Sequence, residues 1–120
     1  MKKGEDLKKR TKEYALRIIK LIEALPKTKV AKTIGNQLIR CGTSVGANYR
    51  AVCRARSTAE FIAKLGIVIE EADESAFWLE LIIEKNIFKK ELIESILKET
   101  NEIIAIMVSS SISAKNNGKK

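Results

Sequence analysis

The chain contains no histidine, which removes the commonest general base and the Glu-x-x-His ligand pairs of di-metal helical bundles. It has one proline, Pro26, and few aromatic residues, so nothing breaks its long apolar periodicities and little favours strands. Cys41 and Cys53 are too few for a disulfide framework. Twelve residues along one helix would hold them about 18 Å apart, beyond bridging distance, so both are expected to be buried free thiols. The longest uncharged run, Ile103 to Ala114, falls short of the roughly 20 helical residues that cross a bilayer. No secretory apolar segment opens the chain, and a cytoplasmic protein without membrane attachment is expected.

The most informative absence is that of acid: no Asp or Glu lies between Ala24 and Ala59. That stretch carries Lys27, Lys29, Lys32, Arg40, Arg50, Arg54 and Arg56. Met1 to Ala59 holds 15 basic and 4 acidic residues (+11), whereas Glu60 to Lys120 holds 8 and 11 (−3), giving the +8 of the whole chain. Such asymmetry suits an anionic ligand on the N-terminal half, and equally suits pairing of basic and acidic surfaces between copies.

Apolar residues recur at spacings of three and four throughout, which predicts an all-α protein. A first helix is expected from about Glu5 to Leu25, with Leu7, Thr11, Tyr14, Ile18, Leu21 and Leu25 inward and Pro26 marking its end. A second should run from Thr28 to Arg54. On it Val30, Ile34, Leu38, Cys41, Val45, Asn48, Tyr49 and Val52 share one side, while Lys29, Lys32, Arg40, Thr43, Arg50 and Arg54 lie opposite. Gly35, Gly42 and Gly46 form a bare ridge between the two. Each costs about 1 kcal/mol relative to alanine in a helix interior, which calls for the close approach of another helix. Ser57 or Thr58 can cap a third helix that Asn86 ends, and a fourth should cover Lys89 to Ser111. Four helices with short links fold as an antiparallel up-down-up-down bundle over residues 1–112, leaving 113–120 as a frayed polar tail.

Few constellations offer chemistry. Neither cysteine has a base to activate it, Ser44 and Ser57 lack one nearby, and Gly42-Thr43-Ser44-Val45-Gly46 sits mid-helix rather than between a strand and a helix. No enzyme, cofactor or metal site is expected. Glu70, Glu71, Asp73 and Glu74 read as a solvated or intersubunit face. Asn48 reads as a buried polar residue fixing helix register, and Tyr49 and Trp78 as core or interface. The third helix is apolar on nearly every side in its second half, where Phe77, Trp78 and Leu81 lie off the main stripe, more than one neighbour can cover.

The run Asn36-Gln37-Leu38-Ile39-Arg40-Cys41-Gly42-Thr43-Ser44-Val45-Gly46-Ala47-Asn48-Tyr49-Arg50-Ala51, followed by Arg54-Ala55-Arg56-Ser57 and Glu60-Phe61, resembles a bacterial four-helix-bundle family. That family is named for reading frames inside intervening sequences of 23S ribosomal RNA genes and includes relatives of the accessory variability protein of diversity-generating retroelements. The resemblance implies a four-helix bundle and, in several members, a ring-like homopentamer; the retroelement relatives bind nucleic acid and a reverse transcriptase. The chain departs from the commoner Ser-Ile-Pro-x-Asn-Ile-Ala-Glu-Gly pattern. Gly46 stands at the proline, and Arg50, Ala51 and Val52 replace Ala-Glu-Gly, so a cation is gained next to the position where the pattern's acid is lost.

Two expectations of function follow. In one, a homo-oligomer, a pentamer by resemblance, binds RNA or DNA through Lys29, Lys32, Arg40, Arg50 and Arg54. In the other, it is a structural adaptor presenting a charged surface to a protein partner. The interface between copies is expected at Gly42, Gly46, Phe77, Trp78 and Leu81.

Overall fold

The structure, a computed structural model, describes residues 2–118, which form four helices joined by short turns: α1 (Lys2–Ala24), α2 (Lys29–Cys53), α3 (Thr58–Glu84) and α4 (Lys90–Gly118). Local chemistry sets the boundaries. After α1 the chain turns at Pro26, and the Thr28 hydroxyl caps α2 by accepting from the Ala31 N–H at 3.2 Å. Ser57, rather than Thr58, caps α3 by accepting from the Glu60 N–H at 3.0 Å. Asn86 ends α3 in the left-handed region, with φ of 52°. Its N–H donates to Ile83 O at 3.1 Å and that of Ile87 to Ile82 O at 3.0 Å, the paired closure that satisfies the last carbonyls of a helix. α4 runs past the expected end at Ser111 because its last turns have something to pack on. A Cβ at Gly118 would lie 3.5 Å from Thr58 Cγ2, and Ala114 and Asn117 face the α2–α3 turn across a shared recess. The expected frayed tail is therefore helical as far as Gly118, and its last two lysines lie outside the described residues.

The helices form an all-α four-helix bundle, a rod of 52 × 21 × 20 Å in which consecutive helices pack along their length. The predicted inner face of α1 is buried as expected, with Tyr14, Ile18 and Leu21 at 1, 0 and 2 % exposure. Leu38, Val45, Leu65, Leu79, Ile96, Ile103 and Met107 complete the centre. Each such side chain contributes about 1.5–3 kcal/mol by leaving water. Every fully buried side-chain oxygen or nitrogen among the described residues has a partner: the Thr11 hydroxyl donates to Leu7 O at 2.8 Å, Ser75 to Glu71 O at 2.9 Å and Thr100 to Ile96 O at 2.8 Å.

The glycine ridge is consumed inside the chain. A Cβ at Gly42 would lie 3.0 Å from two carbons of Ile18, and one at Gly46 would lie 3.1 Å from the carbonyl oxygen of Thr11. The close approach that the glycines demanded is thus made by α1, which corrects the expectation that Gly42 and Gly46 face another copy. By contrast α1 and α4 keep their backbones further apart, and side chains close the seam. Tyr14 Oη lies 2.6 Å from Thr100 Oγ1, Arg17 donates to Ser95 Oγ at 3.0 Å, and Arg10 grips Glu99 and Glu102.

Three further expectations are corrected. Cys41 is buried, but Cys53 is exposed because it lies a quarter-turn off the inner stripe near the end of α2. Val30 is 56 % exposed in the first turn of α2. Asn48 is half-buried and bonds its own helix, its amide donating to Ser44 O at 2.8 Å, so it fixes no register between helices.

Candidate nucleic-acid interface

The basic back of α2 divides into three parts. Lys29 and Lys32 stand exposed at its start, Arg40 at its middle, and Arg50 and Arg54 at its end, so Lys32 and Arg50 are separated by about 27 Å along the axis.

Arg40 is answered within the chain. Its guanidinium donates to Glu71 at 3.3 Å and to Glu74, whose carboxylate also accepts from the Trp78 indole N–H at 3.1 Å. The hydrogen bond from Arg40, with that from Trp78, holds the Glu74 carboxyl below its ordinary pKa, and the same bond raises that of Arg40. Part of the acidic group on α3 is therefore the counter-charge for α2 in the same chain. Arg10 is neutralised more fully, donating to both oxygens of Glu99 at 2.8 and 2.7 Å and to Glu102 at 2.8 Å. That two-pronged bond lowers the Glu99 carboxyl from its ordinary pKa.

Arg50 and Arg54 have no such partner: among the described residues neither forms an ion pair. They are joined instead by cations of α1. Lys8, Lys12, Arg50 and Arg54 flank a groove of about 370 Å³ whose floor is made by Ala15, Thr43, Gly46 and Ala47. Small floor residues let the two helices approach, and the long side chains of each rise on either side. Lys8 is held by Glu5 at 3.2 Å, while Lys12 forms no ion pair among the described residues. Arg54 and Arg56 continue the positive surface around the end of the bundle, where Lys64 of α3 joins them beside Glu60.

Lys29 and Lys32 are also unpaired among the described residues but stand apart from this cluster. Of the five cations expected to act together, the structure brings together Arg50 and Arg54. It adds Lys8 and Lys12, whose i,i+4 spacing on α1 was the signal available in the sequence.

On the outer side of α3, Phe77 is 51 % exposed and meets Trp78 edge-to-face, with ring centroids 5.0 Å apart and planes at 72°. Trp78 and Leu81 are half-buried against the core. These residues form an apolar patch that the chain does not cover, bordered by the Arg40–Glu74 pair. No helix among the described residues is long and apolar enough to cross a membrane.

A family model described as 23S rRNA-intervening sequence protein matches residues 5–109. No curated protein matches the chain significantly. Among solved structures, the chain is similar to a protein of unknown function from the S23 ribosomal protein family of Bacteroides thetaiotaomicron. The two are 38 % identical, with 87 % of this chain and 96 % of that one aligned and a TM-score of 0.81.

Proposed function

The chain belongs to the 23S rRNA-intervening sequence protein family, and from that premise we propose that it is a non-enzymatic, homo-oligomeric cytoplasmic protein that binds nucleic acid by its phosphates. The observation that carries this reading is the groove where Lys12, Arg50 and Arg54 converge from two helices without a carboxylate partner, next to Lys8, Arg56 and Lys64. Arg10 and Arg40 are neutralised within the chain, whereas Arg50 and Arg54 stand together beside Lys12 without an ion pair among the described residues, a surface suited to anions. The groove offers cations on long flexible side chains, and Thr43 is its one side chain with an acceptor among the described lining. The binding is therefore to backbone phosphate, with little sequence preference.

Assembly rests on the Phe77, Trp78 and Leu81 patch, which an aqueous surface leaves unsatisfied. A cyclic oligomer, a pentamer by family likeness, would cover that patch and repeat the basic groove around a ring. The competing reading, an adaptor that presents charge to a protein, draws on the Arg40–Glu71–Glu74 cluster, which neutralises the middle of the basic stripe.

Salt dependence of binding tests the proposal. Affinity for RNA or DNA should fall steeply with salt, and the double variant Arg50→Ala/Arg54→Ala should lower the log–log slope by about one to two. Arg40→Ala should leave that slope within about half a unit, because its charge is already answered. No binding to either nucleic acid at about 50 mM salt with the oligomer intact, or an equal loss from Arg40→Ala, refutes the groove reading.

A further inference from the structure

At the end of the bundle where α1 begins and α4 finishes, all four helices border an open-sided cavity of about 560 Å³, within the range of small-molecule sites. Leu7, Val52, Phe61 and Ala114 give it an apolar lining. One wall is polar without being charged. It is formed by Tyr49, Cys53, Ser109, Ser110 and Ser113. Among the described residues the ionic side chains on the rim are Glu5 and Lys8, which hold each other at 3.2 Å.

Tyr49 is the residue that points to a ligand. It is 94 % buried, yet its hydroxyl makes no hydrogen bond of normal geometry to a described residue; only the Cys53 thiol, a weak partner, stands beside it. Every fully buried side-chain oxygen or nitrogen among the described residues does have a partner, so the Tyr49 hydroxyl must reach open space, and the open space on its side is this cavity. The contrast with Tyr14, whose hydroxyl meets Thr100 at 2.6 Å in the closed part of the core, shows what the same side chain does when the fold supplies a partner.

We propose that this cavity binds a small uncharged molecule with an apolar body of one or two rings and a hydrogen-bonding head received by the Tyr49 hydroxyl. The described lining offers an ion no unpaired counter-charge, which favours a neutral occupant. The apolar body occupies the space beside Leu7 and Phe61, and the serine hydroxyls of α4 offer the head a second partner.

Cys53 supplies the readout, because it lies on the cavity wall while the other thiol, Cys41, is 0 % exposed. In the full chain, 2-naphthol should slow N-ethylmaleimide alkylation of Cys53 by about tenfold at saturation, with Cys41 unmodified throughout. Tyr49→Phe should weaken 2-naphthol protection about fivefold, the worth of one hydrogen bond, while protection by naphthalene, which lacks the hydroxyl, stays the same in both proteins. Ala114→Trp, which fills the cavity, should abolish protection by either compound, with its helix content checked by circular dichroism. The proposal is overturned if 2-naphthol leaves the Cys53 rate unchanged, or if Tyr49→Phe alters the two compounds equally or not at all.

Discussion

Alanine at Gly46 should weaken the protein, although alanine is the better helix former. In a helix interior the exchange gains about 1 kcal/mol from backbone entropy and propensity. At Gly66 that gain is the whole effect, because a new Cβ there meets nothing within 4 Å. At Gly46 the Cβ would lie 3.1 and 3.3 Å from the carbonyl oxygen and carbon of Thr11. These are backbone atoms of a fully buried residue, so α1 as a whole must move away from α2. Overpacking of that kind costs about 1–3 kcal/mol, which puts Gly46→Ala between neutral and about 2 kcal/mol destabilised. Gly66→Ala should therefore exceed Gly46→Ala by about 1–3 kcal/mol, or roughly 4–12 °C in Tm for a chain of this size. Urea unfolding followed by circular dichroism, at one fixed protomer concentration, measures the difference. If Gly46→Ala proves as stable as Gly66→Ala, α1 does not pack on α2 here. If it instead changes the mass of the assembly, the ridge belongs to an interface after all.

The acid limb of stability should depend on Arg10. Glu99 has a depressed folded pKa, so its contribution is complete above the ordinary carboxylate range and is lost as pH falls through the depressed value. Arg10→Met should cost about 1–2 kcal/mol near pH 7 and show a flatter decline toward about pH 3 than the parent; parallel urea-midpoint curves would contradict this. Phe77→Glu should reduce the assembly without lowering helix content, since the ring is half exposed, and an unchanged mass by light scattering removes the α3 patch from the interface.

Most of the fold was legible because it is written in local terms. The inner face of α1, the Ser57 cap and the left-handed stop at Asn86 each depend on residues within a turn or two of one another. The run of α4 beyond Ser111 was not legible, because its support is Thr58 and the turn before it, some sixty residues earlier in the chain. Val30 misled for a related reason, whereas Cys53 lies off the apolar stripe altogether. Helical periodicity places a residue on an apolar side, but burial needs a neighbour at that height, and at the ends of α2 the neighbouring helices leave gaps.

The basic surface shows where a helical wheel stops being informative. Projected down its axis, α2 gathers Lys29, Lys32, Arg40, Arg50 and Arg54 into one stripe, but the axis itself is about 37 Å long, so no compact anion meets more than two or three of them. What the stripe does at each height is decided by the helix alongside. At mid-height the neighbour is α3, whose Glu71 and Glu74 cancel Arg40. Toward the end of α2 the contacts of Gly42 with Ile18 and of Gly46 with Thr11 fix an antiparallel register with α1 that brings Lys8 and Lys12 level with Arg50 and the groove floor. The same register takes α1 to its last turn beside Gly35, where a Cβ would meet Leu25 and Ile22, so Lys29 and Lys32 stand beyond the end of α1 and gain no cations from it. A uniform run of charge in sequence thus becomes one neutral segment, one isolated pair and one reinforced cluster, and the reinforced cluster is the part with a reason to bind phosphate.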